Sequence, residues 1–411
     1  VTRLARVIRI IRTTRWSWRS PRRGAVLVFD SYASDPITQL LAPGSYDVFD
    51  NHFEVINVPI ALRTLVTGGR SWYDYCRRFV AAARPRLLVS AIDSNAHLYT
   101  FKHVSPSTQI VVVQNGIRGT GAPVPSGDLW TTLRRDFPDV RPTADLLLTF
   151  GPDHSAMYRR HITCDTAEIG SAKNNSIALP TVDGDRHNGR VVFISQYSGL
   201  DHVDIFPGGR SPSTLTYLGE RAVSAAAFHS VDGRVARSLA RTCSERGMRL
   251  TIIGRRSASF MHERKFFEEW CDGFVFEFVP KGSEAASYEI AAGADVAVCI
   301  DSTLGYELLA RGRRVAFVAA RGTNLRNAGC TDDETAQFRF GFPSPLGDEG
   351  GFWTSTDSDD EVLRVVDFAR TCGDDAWKQT TASVVPRVMA FDPGNARLRA
   401  ALAERGAVLA H

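Results

Sequence analysis

A chain of 411 residues, 44% hydrophobic and 23% charged with no low-complexity tract, is long for one core, so it predicts two globular domains and excludes a disordered or fibrous protein. Seven scattered cysteines with no CxxC pair exclude a disulfide framework or a zinc site and fit a reducing cytoplasm. The net charge of +4 is local, because the first 23 residues hold eight arginines and no acid, leaving −4 on the remainder.

Residues 1–23 form a basic arm. Within "VTRLARVIRIIRTTRWSWRSPRR", Arg3, Arg6, Arg9, Arg12 and Arg15 recur every third residue, with Leu4, Val7, Ile8 and Ile11 between them and Trp16 and Trp18 behind. The pattern predicts an amphipathic helix lying on an anionic membrane, peripheral to the inner face of the cytoplasmic membrane. The plain alternative is a solvated arm. The apolar stretch is too short to span a bilayer, and Pro21 ends it. No aromatic platform or RNA-binding motif follows, so no nucleic-acid partner is expected.

The first domain is expected over 24–180. "GAVLVFD" (24–30), "RLLVSAID" (86–93), "QIVVVQNG" (109–116) and "ADLLLTFG" (144–151) read as strands, with helical stretches such as "SWYDYCRRFVAAA" between them. Strands apolar nearly throughout and alternating with helices predict a parallel sheet covered on both faces. "LPTVDGDRHNGR" (179–190) reads as an interdomain linker. A second alternating series over 190–385 contains "RVVFISQY", a helical region at 214–246, "MRLTIIGR", "FVFEFVP", "ADVAVCI" and "RVAFVAA". Residues 321–360 read as a long loop with little regular structure, and 386–411 as a terminal helix. The class is therefore α/β: two doubly wound, Rossmann-like domains with an interdomain cleft where ligands bind.

The corner "DSTLGYE" (301–307) joins a buried strand to a helix. Free amides at a helix start favour an anion; Ser302 and Thr303 add hydroxyl donors, Gly305 would let a phosphate approach the backbone, and Glu307 would accept from a ribose hydroxyl. The same residues also suit an ordinary Ser/Thr cap. Ser195 and Gln196 end one strand, and Arg255 stands past the end of another, as a phosphate site would need; a solvated surface arginine is the alternative. Lys281 and Tyr288, on a loop entering a helix, are candidates to rest against a base or phosphate. In the first domain, Asp93, Gln114 and Asn115 sit at strand termini, where amide and carboxylate groups suit sugar hydroxyls or simply make turns. Among the carboxylates, Asp232 and Glu168 stand out as a pair for acid/base or nucleophilic work, set against an N-cap for Asp232 and a surface strand position for Glu168. No GxGxxG after a strand, GxxxxGK[ST], HExxH or GxSxG occurs. His229 is the one histidine that draws notice, three residues before Asp232.

On "VVVQNGIRG", "LLLTFGPDHSAMY", "EIGSAKNN", "VVFISQY" and "ADVAVCIDSTLGYELLARGRRVAF", spread over about residues 85–320, the chain resembles bacterial surface-carbohydrate glycosyltransferases of the GT-B type. It is most similar to the retaining 3-deoxy-manno-octulosonic acid (Kdo) transferases of capsule and lipopolysaccharide assembly. The resemblance implies a metal-independent enzyme with no cofactor, a CMP-linked sugar as donor substrate, and a glycan or glycolipid acceptor. By position it implies Asp232 as the nucleophile of a glycosyl-aspartate intermediate and Glu168 as acid/base. On the residue readings above, the nucleotide sugar is expected at Ser195, Gln196, Arg255, Lys281, Tyr288, Ser302, Thr303, Gly305 and Glu307, and the acceptor at Asp93, Gln114 and Asn115. Two other readings stay open: a CDP-alditol phosphotransferase of the teichoic-acid type, and a non-catalytic sugar-nucleotide-binding partner in polysaccharide assembly.

Overall fold

The computed structural model describes residues 14–31, 33–50, 55–117, 129–179, 188–197, 216–218, 221–257 and 261–410. The chain divides into two units: unit 1 comprises Val1–Gly116, Leu129–Ser176 and Phe391–His411, and unit 2 comprises Ile117–Asp128 and Ile177–Ala390.

Unit 1 is built on six strands: β1 (Val26–Phe29), β2 (Tyr46–Phe49), β3 (Leu87–Ser90), β4 (Gln109–Val113), β5 (Thr143–Thr149) and β6 (Thr163–Glu168). They lie in the order β2-β1-β3-β4-β5-β6, and every pairing is parallel. The central strands are unbroken runs of Val, Leu and Ile, buried because helices cover both faces of such a sheet. β2 and β6 sit at the edges and read "YDVF" and "TCDTAE", too polar to announce themselves as strands.

Unit 2 repeats the plan with β7 (Arg190–Ile194), β8 (Arg249–Ile253), β9 (Glu277–Val279), β10 (Val296–Cys299), β11 (Val315–Val318) and β12 (Trp353–Thr354). Their order is β9-β8-β7-β10-β11-β12, again wholly parallel. That is the 3-2-1-4-5-6 order of a Rossmann sheet. Both units are thus doubly wound, Rossmann-like α/β sheets.

Four sequence expectations change. The segment from 386 does not run as one terminal helix: a short helix, Val385–Val388, closes unit 2, and the chain then returns to unit 1. There Gly170 bridges Phe391, Asn395 bonds Asn175 and the Ala172 carbonyl, and Leu398, Ala401 and Leu402 of the helix Ala396–Glu404 complete the core. Residues 321–360 are not a loose loop. They hold the helices Arg321–Asn327 and Asp332–Thr335 and strand β12, and Phe340 and Phe352 are buried against Phe317, Trp353 and Trp377. The helical region at 214–246 opens as a hairpin, Thr216–Leu218 with Arg221–Val223, before the helix Ala225–Glu245. The basic arm enters the described residues as a short strand, Arg15–Ser17, parallel to Val55–Asn57, and not as a helix; its first 13 residues, like most of the linker, lie outside them.

Candidate functional site

In unit 2 the chain winds outward from β7 through β8 to β9, then crosses back to β10 on the other side of β7. Where the order reverses, loops leaving neighbouring strands diverge and open a crevice at their carboxyl ends. Here those loops are Ser195-Gln196-Tyr197 after β7 and Asp301-Ser302-Thr303 after β10.

Behind these two loops lies a buried ionic cluster. Arg321, just past β11, is wholly inaccessible; its Nε donates to Asp301 Oδ2 at 2.6 Å, and its Nη2 stands 3.1 Å from Asp232 Oδ2. Nη1 donates to the Phe228 carbonyl, and the guanidinium lies over the Phe228 ring at 4.5 Å. Asp232, also 0% exposed, accepts at Oδ1 from the Gln196 amide at 3.4 Å. Burial pushes the Asp232 carboxyl up, but the Arg321 charge and His229 outweigh it and hold it below the ordinary carboxylate value. For Arg321, burial opposes the charge, yet the two carboxylates prevail and bind its proton more tightly. His229 Nδ1 is 3.7 Å from Asp232 Oδ2, and burial pulls the imidazole below its ordinary value, so it is neutral near pH 7.

This placement corrects the expectation for Asp232. It stands two turns inside the helix Ala225–Glu245, whose N-cap is Ser224, and its carboxylate is spent on Arg321. A nucleophile must reach an anomeric carbon, and a fully enclosed, ion-paired carboxylate does not. Asp232 instead fixes Arg321, and through it Asp301, at the end of β10.

A second carboxylate, Glu263, gathers the other lip. Oε1 accepts from Ser195 Oγ at 2.6 Å and from the Arg255 amide at 2.8 Å, while Oε2 accepts from the Arg256 amide at 3.0 Å. Burial raises its pKa although all three donors favour the charged form. Glu263 thus ties the ends of β7 and β8 together. It leaves Gln196 half-buried and Arg255 exposed, with Arg255 Nη1 donating to the Gln196 carbonyl at 3.3 Å. Lys281 is exposed, and its amide bonds the Arg256 carbonyl at 2.7 Å.

At the β10 corner Ser302 is the N-cap of the helix Thr303–Ala310, its Oγ accepting from the Leu304 amide at 3.3 Å, and Thr303 is half-buried beside it. Gly305 does not offer its face to a ligand. A Cβ there would lie 2.2 Å from Cys299 Sγ and 3.1 Å from Phe317, so the glycine lets the helix close onto the sheet. Nor does Glu307 face a ribose: it is buried and accepts from Tyr288 Oη at 2.5 Å. Tyr288 itself lies within the helix Glu284–Ala292, not on the loop before it, and is 1% exposed.

Unit 1 spends its polar strand ends similarly. Asp93 accepts from the Asn115 amide at 3.0 Å and from Tyr158 Oη at 2.5 Å, and Gln114 links the Phe150 amide to the Gly116 carbonyl. Both are buried knots between neighbouring strands and not hydroxyl-binding groups, whereas Asn115 is exposed. Glu168, half-buried at the end of β6, accepts from Ser155 Oγ at 2.8 Å, and Ser155 in turn meets Thr149 Oγ1 at 2.7 Å. His154, next to Ser155, is buried with neither ring nitrogen partnered among the described residues, and burial drives it down to about 4.

The structure therefore brings Ser195, Gln196, Arg255, Ser302 and Thr303 to the carboxyl edge of one sheet, and Asn115 and Glu168 to that of the other. It turns Asp232, Gly305, Glu307, Tyr288, Asp93 and Gln114 inward, and at the edge itself the hydroxyls of Ser195 and Ser302 are buried, one donating to Glu263 and the other accepting from the Leu304 amide. Sequence reasoning missed Glu263 and Arg321, since a lone Glu in "MHERKFF" and a lone Arg after a strand carry no spacing signal.

No curated protein sequence gives a significant match. Among solved structures, the chain is similar to the wall teichoic acid polymerase TagF, at 10% identity over 93% of this chain and 89% of that one with a TM-score of 0.48. It is also similar to the UDP-GlcNAc 2-epimerase of Methanocaldococcus jannaschii, at 8% identity over 92% and 99% with a TM-score of 0.47. The sucrose-phosphate synthase of Thermosynechococcus elongatus is 12% identical over 92% and 98%, with a TM-score of 0.45. One family model runs over residues 111–405, across the whole sheet of unit 2 and the carboxyl ends of β4, β5 and β6. With that stretch matched, the chain belongs to the family described as "putative O-antigen biosynthesis protein".

Proposed function

We propose that this protein is a glycosyltransferase of surface-polysaccharide assembly that takes a nucleotide-linked sugar as donor. One observation carries the reading: the order reversal in the Rossmann sheet of unit 2, with Ser195, Gln196 and Arg255 on one lip and Ser302 and Thr303 on the other. The start of the helix Thr303–Ala310 favours a phosphate through its dipole and the half-buried Thr303 hydroxyl, and the exposed Arg255 adds a guanidinium. The same donors would stabilise charge developing on the departing phosphate, so the transfer needs no metal or cofactor. Membership of an O-antigen family supports a glycan or lipid-linked acceptor, for which Asn115 is the exposed candidate in unit 1.

The donor we assign is a CMP-linked ulosonic acid such as Kdo, an assignment that rests on the resemblance to the retaining Kdo transferases. Glu168, held by the Ser155 hydroxyl, is the acid/base of the proposal. Asp232 is not carried forward as nucleophile, for the reason given above.

Turnover and hydrolysis of CMP-, CDP-, UDP- and GDP-linked donors test the assignment. CMP-sugar consumption supports it, CDP-alditol turnover replaces it with the teichoic-acid type of phosphotransfer, and binding without turnover leaves a sugar-nucleotide-binding assembly protein. Thr303→Val and Arg255→Ala should each weaken nucleotide affinity about 10-fold or more, the worth of a hydrogen bond to a charged group. If neither changes it, the nucleotide is not held at the reversal.

A further inference from the structure

Eight large hydrophobic side chains are markedly exposed among the described residues, and six of them fall within 16–66: Trp16, Trp18, Val48, Leu62, Leu65 and Val66. They share one region of unit 1. The strand Arg15–Ser17 pairs alongside Val55–Asn57, and the helix Val58–Val66 leaves the end of that partner directly. Ser17, Arg19 and Val48 line a single cleft of about 460 Å³ between this ribbon and edge strand β2.

The helix is cut for this position. "VPIALRTLV" buries Val58, Ile60 and Thr64 and turns Leu62, Leu65 and Val66 outward, the last two 69% and 86% exposed. It contains no acid, and its one charge, Arg63, is exposed. On the neighbouring ribbon Arg15 and Arg19 are also exposed, while Asp47, which lines the cleft, is neutralised by Arg22 at 2.5 Å. Asp50, the other acid of the cleft, is buried. One apolar helix face and a tryptophan pair, in a region with exposed arginines, match neither a solvated surface nor the polar rim of a transient protein interface.

We infer that the helix Val58–Val66 and the Trp16–Trp18 ribbon are a docking surface for an anionic lipid bilayer, the leucines and valine entering the acyl boundary and the arginines meeting headgroup phosphates. Charge complementarity selects the occupant: aliphatic and Trp side chains bind at the interface of any bilayer, and the arginines confine that binding to anionic ones. The inference is separate from the donor chemistry of unit 2 and extends membrane contact from the basic arm to the folded body of unit 1.

The test is flotation of the full chain with vesicles of phosphatidylglycerol and phosphatidylethanolamine (30:70), and with pure phosphatidylcholine. The intact protein should float with the anionic vesicles, at least 10-fold less with phosphatidylcholine, and lose binding in high salt. L65E/V66E should cut anionic-vesicle binding 10-fold or more while leaving the thermal midpoint unchanged, both residues being exposed; V275E, at the exposed Val275 of unit 2, should not. In the unmodified chain, brominated lipid should quench tryptophan emission, and W18S should reduce that quenching. Binding that survives L65E/V66E, or no flotation with anionic vesicles, overturns the inference. So does a dimer of the intact chain that L65E/V66E dissolves without any vesicle binding, which would make the patch a self-association face.

Discussion

Replacing Asp232 by Asn separates a structural carboxylate from a catalytic one. The amide keeps the volume and removes the charge, so Arg321, with no exposed surface, loses the carboxylate at 3.1 Å and keeps Asp301 at 2.6 Å as its remaining charged partner among the described residues. Breaking a buried pair by removing one partner costs about 3–5 kcal/mol, and the surviving Asp301 bond places this variant near the lower figure, about 3 kcal/mol. For a unit of this size about 1 kcal/mol corresponds to roughly 2–4 °C, so the midpoint of the unit 2 transition should fall by roughly 6–12 °C in calorimetry. The loss should also depend on pH. The folded-state pKa of Asp232 is depressed, so the stability it confers is complete above the unfolded carboxylate value of about 3.9 and fades as pH falls through the folded value. The gap between the native chain and Asp232→Asn should therefore be full at pH 7 and narrower at pH 3.5, in urea titrations at both. A drop of less than about 2 °C at pH 7 together with lost turnover would restore the nucleophile and refute the reasoning.

Gly305→Ala should destabilise by about 1–3 kcal/mol, because its Cβ would overlap Cys299 Sγ in a packed interior; the calorimetric midpoint reads it. Glu263→Gln presents an amide donor to one of three donors now satisfied by a carboxylate, and should cost about 1–3 kcal/mol and loosen nucleotide affinity through the shifted ends of β7 and β8, measured by urea titration and calorimetric binding. Tyr288→Phe should cost about 1–3 kcal/mol by leaving buried Glu307 without its 2.5 Å donor, with nucleotide affinity unchanged, since neither side chain reaches the crevice.

The sheets were legible because parallel central strands are buried on both faces and therefore read as unbroken apolar runs, as in "VLVF", "IVVV" and "VAVC". Edge strands β2, β6 and β12 escaped notice for the converse reason: with one side open they tolerate Asp, Thr and Glu, or shrink to two residues. The strand-end motifs fall at the carboxyl edge of each sheet, yet sequence could not tell an outward-facing polar group from one knotting two strands. Asp93 and Asn115 stand at adjacent strand ends, and only the bond from the Asn115 amide to the Asp93 carboxylate shows which is spent. Arg321 was invisible because its importance comes from two carboxylates, 20 and 89 residues earlier, that only the fold assembles. The aromatic residues between 338 and 353 were misread since their packing partners, Tyr306, Phe317 and Trp377, lie outside the segment.

The return of Phe391–His411 to unit 1 bears on the order of events at the ribosome. The amino-terminal sheet leaves the exit tunnel first but lacks Leu398, Ala401 and Leu402 until, counting from Ser176 to Leu402, 226 further residues have been made. At about 5–20 residues per second that is a wait of roughly 11–45 s, over which the whole of unit 2 is made while unit 1 stays incomplete. The half that emerges first should thus mature last, presenting the uncovered face around Ile37 and Leu41 to chaperones in the interval.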